Sequence, residues 1–477
     1  MRIFVLALLL VASVAVRTAE SNPKTALQEQ SNPSTIFAKS NEAAFLILTD
    51  IHFDPFTGTD PLMIQQLAAA PVEKWQAILE SRPDQELAPD GADANYPLLS
   101  SALHAARNSG AHYDYILVTG DFLGHNFPQK YRGYYRPDGN GYEDFVIKTM
   151  AFVNRMIQQA FPAIPIYSAF GNNDSVIEDY ALQDPSLLAA MAKEWKIVAA
   201  GSKAKQDFLL GGYYAVPHPT VPDLEFIVLN TAYWSSKLKT GAAPSTANPG
   251  SVELSWFTAQ LDRLRRAHKA AAIMMHIPPG VDAYDSAKPG RCAIPTLFWK
   301  KQYLESFLST VRDHEDVVRD GYAGHTHVDD FRVLTNANGV PYFQTHIAPS
   351  ISRDQHNSPG FEVGVYDKSS GAMVDYAATY LRNSPAANST KPAWAFAYDF
   401  RQESHFPSYS PASLQTIALL IRSSETIRGR IMESYGAPIA STSPISMKDW
   451  RFYSCAQTEV DPGAFSKCAC ASPGGSN

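Results

Sequence analysis

Short apolar runs alternate with longer amphipathic stretches along most of this chain. The runs at 44–48, 113–118, 164–169, 225–229, 270–275 and 320–323 have strand length and too few residues for helices. Between them, 142–160, 186–195, 252–268 and 297–314 repeat apolar residues at helical spacing. This order predicts an α/β layered fold in which buried strands take helical connections. Four later runs, at 331–334, 342–345, 362–366 and 373–380, follow one another without helices and predict antiparallel strands. The Pro/Ser/Asn-rich stretch 383–392 reads as a linker, and 411–421 and 427–435 predict a small helical C-terminal appendage. No internal repeat is present.

The two ends carry other signals. Residues 1–15 combine Arg2 with an apolar stretch and small residues at Ser13 and Ala15, the pattern of a secretory signal cut after Ala15. The alternative is an uncleaved anchor, for which the run is short. Residues 16–43 are polar, with two Asn-Pro pairs, and read as a flexible leader. The catalytic domain is expected over 44–384 and the cysteine-containing appendage over 393–477. Four cysteines, Cys292, Cys455, Cys468 and Cys470, fit an oxidising compartment, whether secreted, periplasmic, lysosomal or vacuolar. Cys468 and Cys470 are too close to favour each other, so Cys455 is expected to pair with one of them.

Composition narrows the function classes. The chain of 477 residues is 45% apolar and 18% charged, with a net charge of -7, which speaks against a nucleic-acid duplex as partner. No segment after the leader is apolar for long enough to span a membrane. An acidic chain can still act on phosphates where bound cations supply the positive charge.

Five of the six early runs end alike. They are followed by Thr49-Asp50-Ile51-His52, by Gly120-Asp121 with His125 beyond, by Gly171-Asn172-Asn173-Asp174, by His276-Ile277-Pro278-Pro279, and by Gly324-His325-Thr326-His327. Ligands bind at the carboxyl ends of strands in α/β sheets, so five polar clusters there predict one shared site. Asp50 and His52, like His325 and His327, are two apart, which on an extended strand end points both side chains the same way. Imidazoles, carboxylates and an amide oxygen suit zinc, manganese or iron. Seven candidates, Asp50, His52, Asp121, Asn172, His276, His325 and His327, exceed one metal's needs and fit two that share a carboxylate. Two such cations can clamp a phosphate and supply a nucleophile at neutral pH.

The ordered set Asp-x-His, Gly-Asp, Gly-Asn, His, Gly-His-x-His resembles that of the calcineurin-like metallophosphoesterases. The Gly-Asp-x-x-x-His form at Asp121–His125 and the segment APSISRDQHNSPGFEVGVYD at 348–367 resemble the acid sphingomyelinase-like phosphodiesterases among them. The resemblance, over about 44–470, implies a central β-sandwich flanked by helices and two zinc ions at one edge. It implies that Asp50, His52 and His327 hold one metal, that Asn172, His276 and His325 hold the other, and that Asp121 bridges. It places His125 against the substrate phosphate, and implies a Cys455–Cys468 disulfide that leaves Cys292 with Cys470. The sequence departs from the family at Asn173, where most members have a histidine that protonates the leaving group. Asparagine delivers no proton, so His125 is the substitute, unless the leaving group needs none. The Gly-Asn-Asn-Asp form also resembles endopolyphosphatases, which adds polyphosphate and nucleotide phosphoanhydrides to small phosphoesters as substrates. The leader is too short for the lipid-extracting saposin domain of sphingomyelinase. Two other classes remain: a metal-containing binding protein without turnover, and an unrelated secreted α/β protein.

Further residues are weighed as pocket candidates. His346 and His356 flank the family-like segment, and Tyr131, Tyr134 and Tyr135 could rim a substrate in the loop after His125, with Lys130, Arg132 and Arg136 meeting an anion. The sequon at Asn388 would carry a glycan only in a eukaryotic secretory pathway.

Overall fold

The computed structural model describes residues 39–197, 201–239, 248–383, 390–435 and 449–470. The expected signal, most of the leader and Asn388 lie outside them. The strands are β1 (Glu42–Leu48), β2 (Tyr113–Val118), β3 (Ile166–Ser168), β4 (Tyr214–Pro217), β5 (Leu224–Val228) and β6 (Ala270–Met274), then β7 (Val318–Ala323), β8 (Asp330–Thr335), β9 (Pro341–Ile347), β10 (Gly360–Asp367), β11 (Met373–Leu381) and β12 (Trp394–Asp399). They form two six-stranded sheets, in the orders β12-β11-β10-β1-β2-β3 and β4-β5-β6-β7-β9-β8. In the first sheet β1, β2 and β3 run parallel, and in the second β5, β6, β7 and β9 do. The remaining pairings, β1 with β10, β10 with β11, β11 with β12, β4 with β5 and β8 with β9, are antiparallel.

Period-two alternation explains why the central strands read as unbroken apolar runs. In β5 and β6, Phe226, Val228, Ala272 and Met274 face the other sheet, whereas Ile227, Ala271 and Ile273 pack outward with Phe257, Leu261 and Phe307 of the helices Pro249–Arg266 and Lys301–Asp313. Rings close the sandwich: Phe45 of β1 stacks on Tyr115 of β2 and meets Tyr322 of β7 edge-on, with centroids 4.8 and 5.5 Å apart. This is the expected α/β sandwich flanked by helices.

Two expectations change. The appendage expected from 393 opens instead with β12, which pairs with β11 and extends the first sheet. Its Trp394, Phe396 and Tyr398 alternate as a strand should, but the Pro-rich stretch before them hides the signal. The helix expected from 297 begins at Lys301, because Leu297 and Trp299 bridge to Val281 and Ser235. Unforeseen helices include Tyr96–Arg107, whose buried stripe takes two alanines among its six residues, and Phe127–Tyr134.

Disulfides join Cys455 to Cys468 and Cys292 to Cys470, the pairs that the resemblance implies. The helices Trp450–Ala456 and Pro462–Ala469, which carry Cys455 and Cys468, pack on Val281 and Val328, in the loops beyond β6 and β7. Cys292–Cys470 closes 178 residues of chain. Replacing both by alanine is therefore expected to lower unfolding stability by about 2–4 kcal/mol, read by denaturant titration. An unchanged midpoint would remove this role.

Candidate metal centre

The loops after β1, β2, β3, β6 and β7 converge at one end of the sandwich. Their backbone does not continue the strands. Asp50, His52, Asp121, His325 and His327 all have positive φ, between 45 and 74°. Such left-handed residues cost about 1–3 kcal/mol each and persist where surrounding structure imposes them. The pairs two apart therefore converge because each loop coils back on itself, and not because a strand continues as the sequence suggested. Two glycines allow the crowding: a Cβ at Gly171 would run into the Asp121 carboxylate, and one at Gly324 into Thr49 and the Asp50 carboxylate.

The side chains form two buried clusters that share Asp50: Asp50, His52 and His327, and Asp50, Asp121 and His276. His327 Nε2 lies 3.2 Å from Asp50 Oδ1 and 3.1 Å from His52 Nε2. Asp121 Oδ2 stands 3.2 Å from His276 Nε2 and 3.5 Å from His52 Nε2. Asn172 Oδ1 is 3.2 Å from His276 Nε2. Six of the seven candidates thus touch one another. His325 joins differently, its backbone N–H donating to Asp50 Oδ2 at 2.8 Å and its ring packing edge-on against His276 with centroids 5.2 Å apart.

Groups behind the cluster aim it. His52 Nδ1 donates to the Leu123 carbonyl and His276 Nδ1 to the Thr119 carbonyl, each at 2.9 Å. A carbonyl only accepts, so both rings present Nε2 to the cluster. His327 Nδ1 lies 2.9 Å from Asp354 Oδ1 as a contact between charges, without hydrogen-bond alignment. Asn172 Nδ2 donates to Asp179 Oδ1 at 2.8 Å, which turns the amide oxygen toward His276. Asp174 accepts from the backbone N–H groups of Asp121, Phe122, Leu123 and Gly171 and so pins the β2 loop to the β3 loop. Burial, then the neighbouring Asp121, push its pKa up to about 7.

The carboxylates draw positive charge to the cluster. Burial opposes a proton on His52 and on His276, yet the Asp121 carboxylate outweighs it and raises each to about 9. Asp121 is held below the usual carboxylate range, where His276 and His52 overcome its burial. His325 is the exception: burial and then His276 lower it to about 3, leaving a neutral imidazole. Imidazole nitrogens, two carboxylates and an oriented amide oxygen, with no thiolate, are a donor set that fits two divalent transition metals.

Asn173 and His125 flank this centre. Asn173 donates its backbone N–H to Asp121 Oδ1 and its side-chain amide to Oδ2, both at 2.8 Å, so its side chain is committed to holding Asp121. His125 stacks on His52 with ring centroids 4.1 Å apart and is 31% exposed. Other candidates fall elsewhere. Tyr131 is buried in the helix Phe127–Tyr134 and packs on Phe145, so it forms no rim. Lys130 pairs with Asp54 and Asp93, within the protein. His346 is buried between Tyr409 and Glu362, away from the cluster, while His356 is exposed beside Asp90. Asp93, Asp179 and Asp354 were not anticipated, because a carboxylate that holds another side chain keeps no fixed spacing from it.

Asp179→Ala would free the Asn172 amide to turn its oxygen away. Metal affinity is expected to fall about 10–100-fold, measured by chelator competition. Unchanged affinity would show that Asp179 does not set the amide.

The sequence matches the profile of the calcineurin-like phosphoesterases over residues 43–329. An acid sphingomyelinase-like phosphodiesterase 3b of Homo sapiens is 24% identical over 457 residues, covering 91% of this chain and 92% of that one. A cyclic GMP-AMP phosphodiesterase of Homo sapiens is 25% identical over 334 residues, covering 68% and 69%. Among solved structures, a dimetal phosphatase from Danio rerio superposes with a TM-score of 0.41 at 13% identity, over 75% of this chain and 99% of that one.

Proposed function

The chain belongs to the calcineurin-like phosphoesterase family, and we propose that within it this protein is an extracytoplasmic two-metal phosphodiesterase acting on small, exposed phosphoesters. The observation that carries the reading is the buried pair of His/Asp clusters at the ends of four strands, with Asn172 from the end of a fifth against His276. Asp50, His52 and His327 would hold one cation, Asn172, His276 and His325 the other, and Asp121 both, with zinc the first choice and manganese or iron the alternatives. Such a pair supplies Lewis-acid stabilisation of a phosphoryl group and an activated water at neutral pH.

The chain's own groups supply the rest. Asn173 keeps both Asp121 oxygens in place and has no proton to give. His125, partly exposed beside His52, is the group that would protonate the departing oxygen. Similarity to two phosphodiesterases supports a diester over a monoester. Two disulfides support an oxidising compartment, with residues 1–15 as the export signal. No described helix is long and apolar enough to cross a membrane.

A second reading, hydrolysis of polyphosphate or nucleotide anhydrides, draws support from Asn173, since a phosphate leaves without a proton. The test compares kcat/KM for bis(p-nitrophenyl) phosphate, p-nitrophenyl phosphate and tripolyphosphate. The diester is expected to lead. A lead for tripolyphosphate would favour the second reading, and metal without turnover of any of them would favour a binding protein.

A further inference from the structure

We propose that Asp93 is a positioning residue for His125, fixing the imidazole with Nδ1 turned into the protein and Nε2 as the open nitrogen beside the metal cluster. The inference rests on the reading of His125 as proton donor given above.

Asp93 precedes the helix Tyr96–Arg107 and is buried. Its Oδ1 lies 2.8 Å from His125 Nδ1, and its Oδ2 accepts the His125 backbone N–H, also at 2.8 Å. One carboxylate therefore grips both the ring and the main chain of the same residue, which fixes the side-chain rotamer as well as the tautomer. Lys130 anchors the carboxylate in turn, its Nζ lying 2.8 Å from Asp93 Oδ2 and 2.6 Å from Asp54 Oδ2. Gly124 makes the approach possible, since a Cβ there would come within 2.9 Å of Asp93 Oδ2.

The direction of the hydrogen bond follows from charge. Burial works against ionisation of Asp93, but the His125 ring, with His52 and Lys130 behind it, overcomes this and holds the carboxyl below its usual range. An ionised carboxylate only accepts, so Nδ1 carries the hydrogen. Among the described residues no protein group bonds Nε2. Asp354 Oδ2 stands 3.6 Å from Nδ1 and offers the ring a competing seat, so loss of Asp93 leaves two orientations where there was one.

A merely structural carboxylate would behave differently from a positioning one. If Asp93 acts through His125, its loss affects substrates in proportion to their need for a proton. Asp93→Asn is expected to lower kcat on diphenyl phosphate about 10–100-fold, with KM and metal content nearly unchanged. On bis(p-nitrophenyl) phosphate, whose leaving group needs little help, the loss is expected to stay within about threefold. Asp93→Glu should recover part of the diphenyl phosphate rate. The double variant Asp93→Asn/His125→Ala should be no slower on that ester than His125→Ala alone, because the two residues act as one unit. Equal losses of Asp93→Asn on both esters, or additive losses in the double variant, would overturn the proposal. If His125→Ala shows a leaving-group dependence and Asp93→Asn does not, the positioning role alone falls. If His125→Ala shows none, the reading of His125 falls and this inference with it.

Discussion

Asp121→Asn is expected to abolish hydrolysis, with kcat/KM falling by about a thousandfold or more. The substitution keeps the volume and removes the carboxylate that stands nearer than Asp50 to both His52 and His276. It also sets an amide nitrogen against Asn173, whose backbone and side-chain N–H groups both donate to the native carboxylate. One of these bonds becomes a donor facing a donor, in a site where an unpaired polar group costs about 1–3 kcal/mol. The protein should therefore lose metal as well as rate. Elemental analysis and steady-state kinetics on one preparation check both, and a variant with normal turnover would refute the bridging role.

The second large effect is expected at His125. His125→Ala should slow diesters with poor leaving groups by about 10²–10⁴-fold, the range over which general acids act. The p-nitrophenyl diester should lose far less, because nitrophenolate departs unprotonated. The sequence motivates this prediction, since Asn173 stands where most of the family has its proton donor. The structure strengthens it by committing the Asn173 amide to Asp121. Equal losses across leaving groups would remove His125 as the acid and return weight to substrates that leave as phosphate.

The site was legible in sequence because its strands are buried on both faces. Unbroken apolar runs such as 270–275 stop abruptly at polar residues, and five such stops in order mark the loops that meet. How they meet was not legible. The two-residue spacing of Asp50 and His52 suggested an extended strand, whereas both residues are left-handed, a conformation imposed by tertiary packing and not by their types. Asp93, Asp179 and Asp354 escaped for a related reason: each is brought to its partner by the fold alone, across 32, 7 and 27 positions. Tyr131 stayed open as a rim candidate only while a loop was assumed after His125; Phe127–Tyr134 is a helix that turns the ring into an aromatic core. Strand β12 was lost for want of context, its alternating aromatics lying against a Pro-rich stretch.

The most direct test of the central claim is the metal content of the purified protein, measured together with hydrolysis of bis(p-nitrophenyl) phosphate before and after chelation. About two equivalents of transition metal per chain are expected, with turnover that chelator removes and added metal restores. Protein that binds no stoichiometric metal, or hydrolyses the diester undiminished after its metal is stripped, would contradict it.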